Sequence, residues 1–123
     1  MININFLGHA TGQDLDVSQL VFGPDELARV VGQGTSYGGG YWEIAFHAFT
    51  PQMKPVDMKV IGSCSTLRAG TAEQAFGTMS EWLRAQVEQH DDLKFAYAED
   101  RNHERPEDER PFFLAGLFLI DKR

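Results

Sequence analysis

Apolar and polar positions alternate with a period of two in several separate stretches of this chain, and one long stretch switches to helical spacing. Ile2, Ile4 and Phe6 alternate with asparagines, which predicts a first strand with one buried face; Gly8 to Asp16 then reads as a polar loop. Leu20, Val21 and Phe22 suggest a short strand. Gly23-Pro24-Asp25-Glu26 resembles a helix start, because proline suits the first helical position and carboxylates favour the positive end of the helix dipole. A short helix over about 24–33 is therefore expected, with Leu27, Val30 and Val31 buried and Gly32 or Gly34 ending it.

Gly34-Thr35-Ser36-Tyr37-Gly38-Gly39-Gly40 reads as a flexible connector, since consecutive glycines hold no backbone angle by themselves. It leads into an aromatic strand, Tyr41 to Phe49, then a turn at 50–55 and a second strand at 56–61. Matching the apolar faces of this hairpin pairs Trp42 with Gly62, Ile44 with Val60, Phe46 with Met58 and Ala48 with Val56. A slip of one residue turns Lys59 and Asp57 into the core. The opposite face then carries Tyr41, Glu43, Ala45, His47 and Phe49, with His47 across from Asp57 and Glu43 diagonal to Lys59. Tyr41, Ala45, Phe49 and Ile61 make this second face too apolar for ordinary solvent-facing sheet. Either the short helix covers it or a partner does.

Thr71-Ala72-Glu73-Gln74 is a capping-box pattern that opens a long helix over about 71–90. Phe76, Met79, Leu83, Val87 and His90 form its apolar stripe, with Ala75 and Trp82 at the borders and an Arg84–Glu88 pair outside. Leu93 to Tyr97 alternates as a strand, and the run Phe112 to Ile120 is apolar at nearly every position. Such a run reads as a central strand covered on both faces. The expected fold is one α+β domain spanning 1–123: a mainly antiparallel sheet of about five strands, with the long helix on one face and the short N-terminal helix beside it.

Composition narrows the function. The 123 residues suffice for a core without disulfides or metal, and the net charge is −7. An acidic surface repels phosphate backbones, so direct nucleic-acid binding is not expected, whereas a basic protein partner suits it. The N-terminus has no basic segment followed by a long apolar run, and the longest apolar run is too short to span a membrane. With a single cysteine, Cys64, cytoplasmic location is the expectation.

Candidate chemistry is sparse. No helix with a lysine or Ser/Thr cap follows the three glycines, so they do not form a phosphate loop. Cys64 fits no nucleophile signature and shares the inward side with Val60 and Gly62, as a core thiol. His9, His47, His90 and His103 lack metal-ligand spacing, and no catalytic residue, cofactor or metal is assigned. The segment 99–110 holds six acids (Glu99, Asp100, Glu104, Glu107, Asp108, Glu109) and three arginines, long for a loop joining two strands. The site expected from these features is a partner-binding surface of Tyr37, Tyr41, Glu43, His47 and those six carboxylates. It fits an acidic inhibitor of a macromolecule, such as an immunity protein against a bacterial toxin or a phage-encoded inhibitor. Two alternatives are a small-molecule-binding module or small enzyme with a pocket near His47 or His9, and a structural subunit that assembles through its C-terminal strand.

Overall fold

The computed structural model describes residues 2–3, 14–24, 26–49 and 58–123, with backbone alone for 2, 3, 14 and 64–66. The described strands form one antiparallel sheet: β1 (Ile2–Asn3), β2 (Asp14–Leu15), β3 (Leu27–Ser36), β4 (Tyr41–Ala48), β5 (Lys59–Arg68), β6 (Leu93–Asp100) and β7 (Phe113–Lys122). Their order across the sheet is β1-β2-β5-β4-β3-β7-β6. One helix, α1 (Ala72–Glu88), connects β5 to β6, which lie on opposite sides of the five long strands. It must cross them all. Its side chains reach Phe46 on β4, Gly32 on β3, Gly116 on β7 and Phe95 on β6, so one helix closes the core on that face. The α+β architecture expected from the pattern is the one observed.

Thr71 caps α1 as the capping box predicts: its hydroxyl accepts from the Gln74 backbone N–H at 3.1 Å, while Gln74 Oε1 accepts from the Gly70 N–H at 3.0 Å. Ala75, Met79, Trp82, Leu83 and Val87 are buried against the sheet, and Phe76 packs at the margin of the core. Phe118 is the hub beneath them. Its ring lies 5.9 Å from Phe76, 6.1 Å from Phe95 and 6.2 Å from Phe46, and Trp82 stacks at a tilt 4.9 Å from Phe46. Arg84 reaches Glu81 at 3.9 Å and lies over the Phe95 ring, rather than pairing along the helix with Glu88.

The largest correction falls on 24–33, which forms no helix. Gly23 to Leu27 is a tight reversal, closed by Glu26 N–H to Gly23 O at 2.8 Å, with Glu26 in the left-handed region at φ 63°. Phe22 forms only an isolated bridge, to Ala28, and a 3₁₀ turn occupies Val17–Gln19. Leu27–Ser36 is strand β3, whose burial alternates: Ala28, Val30, Gly32 and Gly34 face α1, while Arg29 and Gln33 are exposed. Two glycines each cost a helix interior about 1 kcal/mol, and Val30, Val31 and Thr35 favour strand. Proline followed by carboxylates serves a turn as well as a helix start, and here it serves the turn.

The β4–β5 register is displaced from the expected one. Ile44 pairs with Cys64, Ala45 with Ser63, Phe46 with Gly62 and His47 with Val60. The inward set of β4 (Trp42, Ile44, Phe46, Ala48) is as predicted. On β5, irregularities opposite 42–44 and 46–47 exchange faces, so Ile61 and Leu67 are buried while Met58 and Val60 are exposed. His47 therefore faces Val60; Asp57 and the turn at 50–55 lie outside the described residues, as do residues 4–6 of the first strand and the Cys64 side chain. Strand β7 also departs from expectation. Leu114, Gly116, Phe118 and Ile120 are buried, whereas Phe113, Ala115, Leu117 and Leu119 are only half-buried on a face that no described element covers. The segment expected to cover that face joined the sheet instead.

Close approach of α1 depends on Gly32 and Gly116, which pair across the β3–β7 ladder. A Cβ on Gly116 meets Phe76 Cε2 at 2.6 Å and Phe118 Cζ at 3.0 Å, and one on Gly32 meets Met79 Sδ at 3.0 Å. Gly116→Val is accordingly expected to destabilise the protein by roughly 1–3 kcal/mol in urea unfolding, through overpacking. Gly77 on the exposed side of α1 has nothing within 4 Å of its Cβ position, so Gly77→Ala is expected to stabilise by about 1 kcal/mol in the same assay.

Candidate functional site

Strand directions bring three connections to one end of the sheet: the β3–β4 turn, the β5–α1 connection and the β6–β7 loop. The glycine triplet is a structured turn rather than a loose connector. Gly38, Gly39 and Gly40 take φ of 89°, 64° and 81°, the left-handed region that glycine enters without a Cβ penalty. Tyr37 N–H donates to Tyr41 O at 3.0 Å, Tyr41 N–H to Gly38 O at 3.2 Å, and Ala69 N–H to Gly40 O at 2.8 Å. Trp42 Nε1 donates to Ala69 O at 3.3 Å, and the Arg68 guanidinium lies 4.9 Å over the Tyr41 ring. A shallow cleft of about 320 Å³ here is lined by Gly39, Gly40, Arg68, Ala69 and Gly70, not by His47. Its walls are backbone and one exposed arginine, a poor frame for a small apolar ligand.

The β6–β7 loop is a folded knob. Arg101 bridges Glu99 at 2.6 Å and Glu104 at 2.9 Å, and these bonds hold its guanidinium more firmly protonated than usual, Glu104 foremost. Asp100 accepts from the Asn102 N–H at 2.8 Å, at the start of a 3₁₀ turn at Asn102–Glu104. Arg110 donates to the carbonyls of His103 and Arg105, and Arg105 lies 4.5 Å over the Phe113 ring. The three arginines are thus spent within the loop, with Glu99, Asp100 and Glu104. Among the described residues, Glu107, Asp108 and Glu109 form no ion pair, and the first two are exposed.

Two hydrogen bonds tie this acidic tip to the glycine turn. Phe112 N–H donates to Glu109 O at 3.0 Å, and Ser36 N–H donates to Phe112 O at 2.8 Å. Tyr37 is 70% exposed, Phe112 57% and Tyr41 43%. Aromatic side chains grouped at one end of a sheet supply the apolar body and polar tip that interfaces favour. The structure therefore brings Tyr37, Tyr41, Glu104, Glu107, Asp108 and Glu109 to one end, with Glu43 exposed two residues along β4. His47 stands apart, in the middle of the uncovered face. Its Nδ1 is shielded from solvent and has no hydrogen-bond partner among the described residues. Phe112 and Arg68 were missed from sequence, the former because it was assigned to a buried strand.

Among the described residues, no group of three or more His, Cys, Asp and Glu side chains is placed to hold a metal ion, and no helix is long and apolar enough to cross a membrane. No protein family, curated protein or solved structure matches the chain.

One local perturbation is directly measurable. The Tyr97 hydroxyl donates to Glu99 at 2.7 Å, and this bond, reinforced by partial desolvation and the carboxylate's charge, raises the phenol above its ordinary pKa. A raised folded-state value means that the contact stabilises at neutral pH and is lost as pH climbs through the phenol's ionisation. In Glu99→Gln the Tyr97 ionisation is expected to fall toward the ordinary range in an ultraviolet absorbance titration, with Tyr97→Phe identifying its contribution. An unchanged titration would contradict the assignment.

Proposed function

We propose that this chain is a non-enzymatic, cytoplasmic binding protein that inhibits or neutralises a basic macromolecular partner, in the manner of an immunity protein or a phage-encoded inhibitor. The observation that carries the reading is the joining of two features at one end of the sheet. Exposed aromatic anchors (Tyr37, Tyr41 and Phe112) stand beside Glu107, Asp108 and Glu109, whose carboxylates form no ion pair among the described residues. Aromatic side chains dominate binding energy at interfaces, while unscreened charge steers encounter and selects the sign of the partner. The net charge of −7 extends that field over the molecule and disfavours nucleic acid. A tip held by internal hydrogen bonds meets its partner with little ordering cost.

Glu104 and Glu43 flank the site as rim charges, whereas Glu99 and Asp100 act through the loop's own structure. The test is affinity capture with the full chain, comparing wild type with a Glu107→Lys, Asp108→Lys, Glu109→Lys variant and with a Tyr37→Ala, Phe112→Ala variant. One partner is expected to be retained by wild type and lost from both variants, with retention falling as salt is raised. A partner held equally by the charge-reversed protein at every salt concentration would sink the electrostatic reading.

A further inference from the structure

The sheet face opposite α1 is the largest feature that the proposed site leaves unused. Both ladder sides of β7 are occupied, by β3 and β6, so this strand offers a second molecule only its face away from α1, which no described element covers. Ladder pairs place Val60, His47, Val31 and Leu117 in one row across that face, with Ala45 and Leu119 in adjacent rows. Val60 is 63% exposed, and the others are shielded only in part by their neighbours. We propose that this face is the interface of a symmetric dimer, its occupant the same face of a second copy of this chain.

Three observations select a second copy. The first is area. Five strands about 4.8 Å apart and about eight residues long at 3.3 Å each present roughly 600 Å² in projection, and more once side-chain relief is counted. That approaches the ~800 Å² per partner of a stable interface. The second is charge. Arg29, Arg68, Lys94 and Arg101 on this face are matched in number by Glu43, Glu99 and Asp121 to within one charge, so it is nearly balanced although the chain carries −7. Lys94–Asp121 and Arg101–Glu99 are already paired within the chain. Two copies can therefore meet here without the repulsion that other faces of an acidic protein impose, whereas a basic partner finds no excess of negative charge. The third is arrangement. The apolar row from Val60 to Leu117, flanked on the central strand by exposed Arg29 and Gln33, is brought against its own copy by a two-fold axis through Val31 and Leu117, and sheets stack at about 10 Å. The His47 Nδ1, orphaned at the centre, sits where a facing copy supplies new neighbours.

This inference does not rest on the acidic tip. Sedimentation velocity across a concentration series is expected to show the mass doubling from the 13.8 kDa of one chain. Val60→Arg alters a position already open to solvent, and Leu117→Arg lies at the centre. Each is expected to abolish the doubling while far-ultraviolet circular dichroism is retained. Raised salt and charge reversal at Glu107, Asp108 and Glu109 are expected to leave the doubling in place. A wild-type chain that stays monomeric throughout overturns the proposal, whatever else binds the face, and so does a dimer that survives folded Val60→Arg.

Discussion

The whole fold depends on how closely one helix can approach the sheet. Gly32 and Gly116 face each other across β3 and β7, and the missing side chains leave the seat into which Phe76 and Met79 descend. Phe118 fills the remaining space beside Gly116 and touches aromatic rings from α1, β4 and β6. With that distance set, α1 can pack on the sheet and close the core between β5 and β6. A bulkier pair at the seat lifts the helix and opens every contact around Phe118 at once, because close-packed interiors transmit such displacements.

The long-period features were legible in the sequence: the capped helix from Thr71, the inward face of β4, and the strands that became β6 and β7. What misled was local ambiguity. Gly-Pro-Asp-Glu has the chemistry of a helix start and of a tight turn, and tertiary pairing with β4 and β7 decided for the turn. That one reassignment explains the others. Once 27–36 is a strand, the glycine triplet becomes its hairpin turn, β7 gains a neighbour on each side, and nothing described remains to cover the second face. The β4–β5 register was misjudged because face matching alone cannot foresee a bulge. Each irregularity reverses which side chains on β5 point inward, and no residue type announces it.

The candidate site was legible in its parts but not as a whole. Tyr37, Tyr41 and the carboxylates of the 99–110 segment stood out by exposure-prone chemistry. Their meeting follows from strand directions that composition does not reveal. Structure also divides the acids into those that hold the loop together and those that project from it. That division depends on where Arg101, Arg105 and Arg110 turn, and spacing along the chain does not set this.

The central ladder joins Leu27 to Asp121, so the first long strand in the chain is completed by the last. The pairing of β3 with β4 is local in sequence, whereas until β7 arrives β3 has one paired edge and one bare edge. A chain emerging from the ribosome cannot close this sheet, or seat its helix, before residues beyond 113 are free of the exit tunnel. Folding therefore waits on contacts of long sequence separation, the slow regime for small domains. During that wait β3 carries an unpaired edge that includes Val30 and Val31, the hazard that strand edges pose to growing chains. Gly32, which makes room for the helix, also lowers the strand propensity of this waiting edge together with Gly34, and so weakens its pairing with a wrong neighbour.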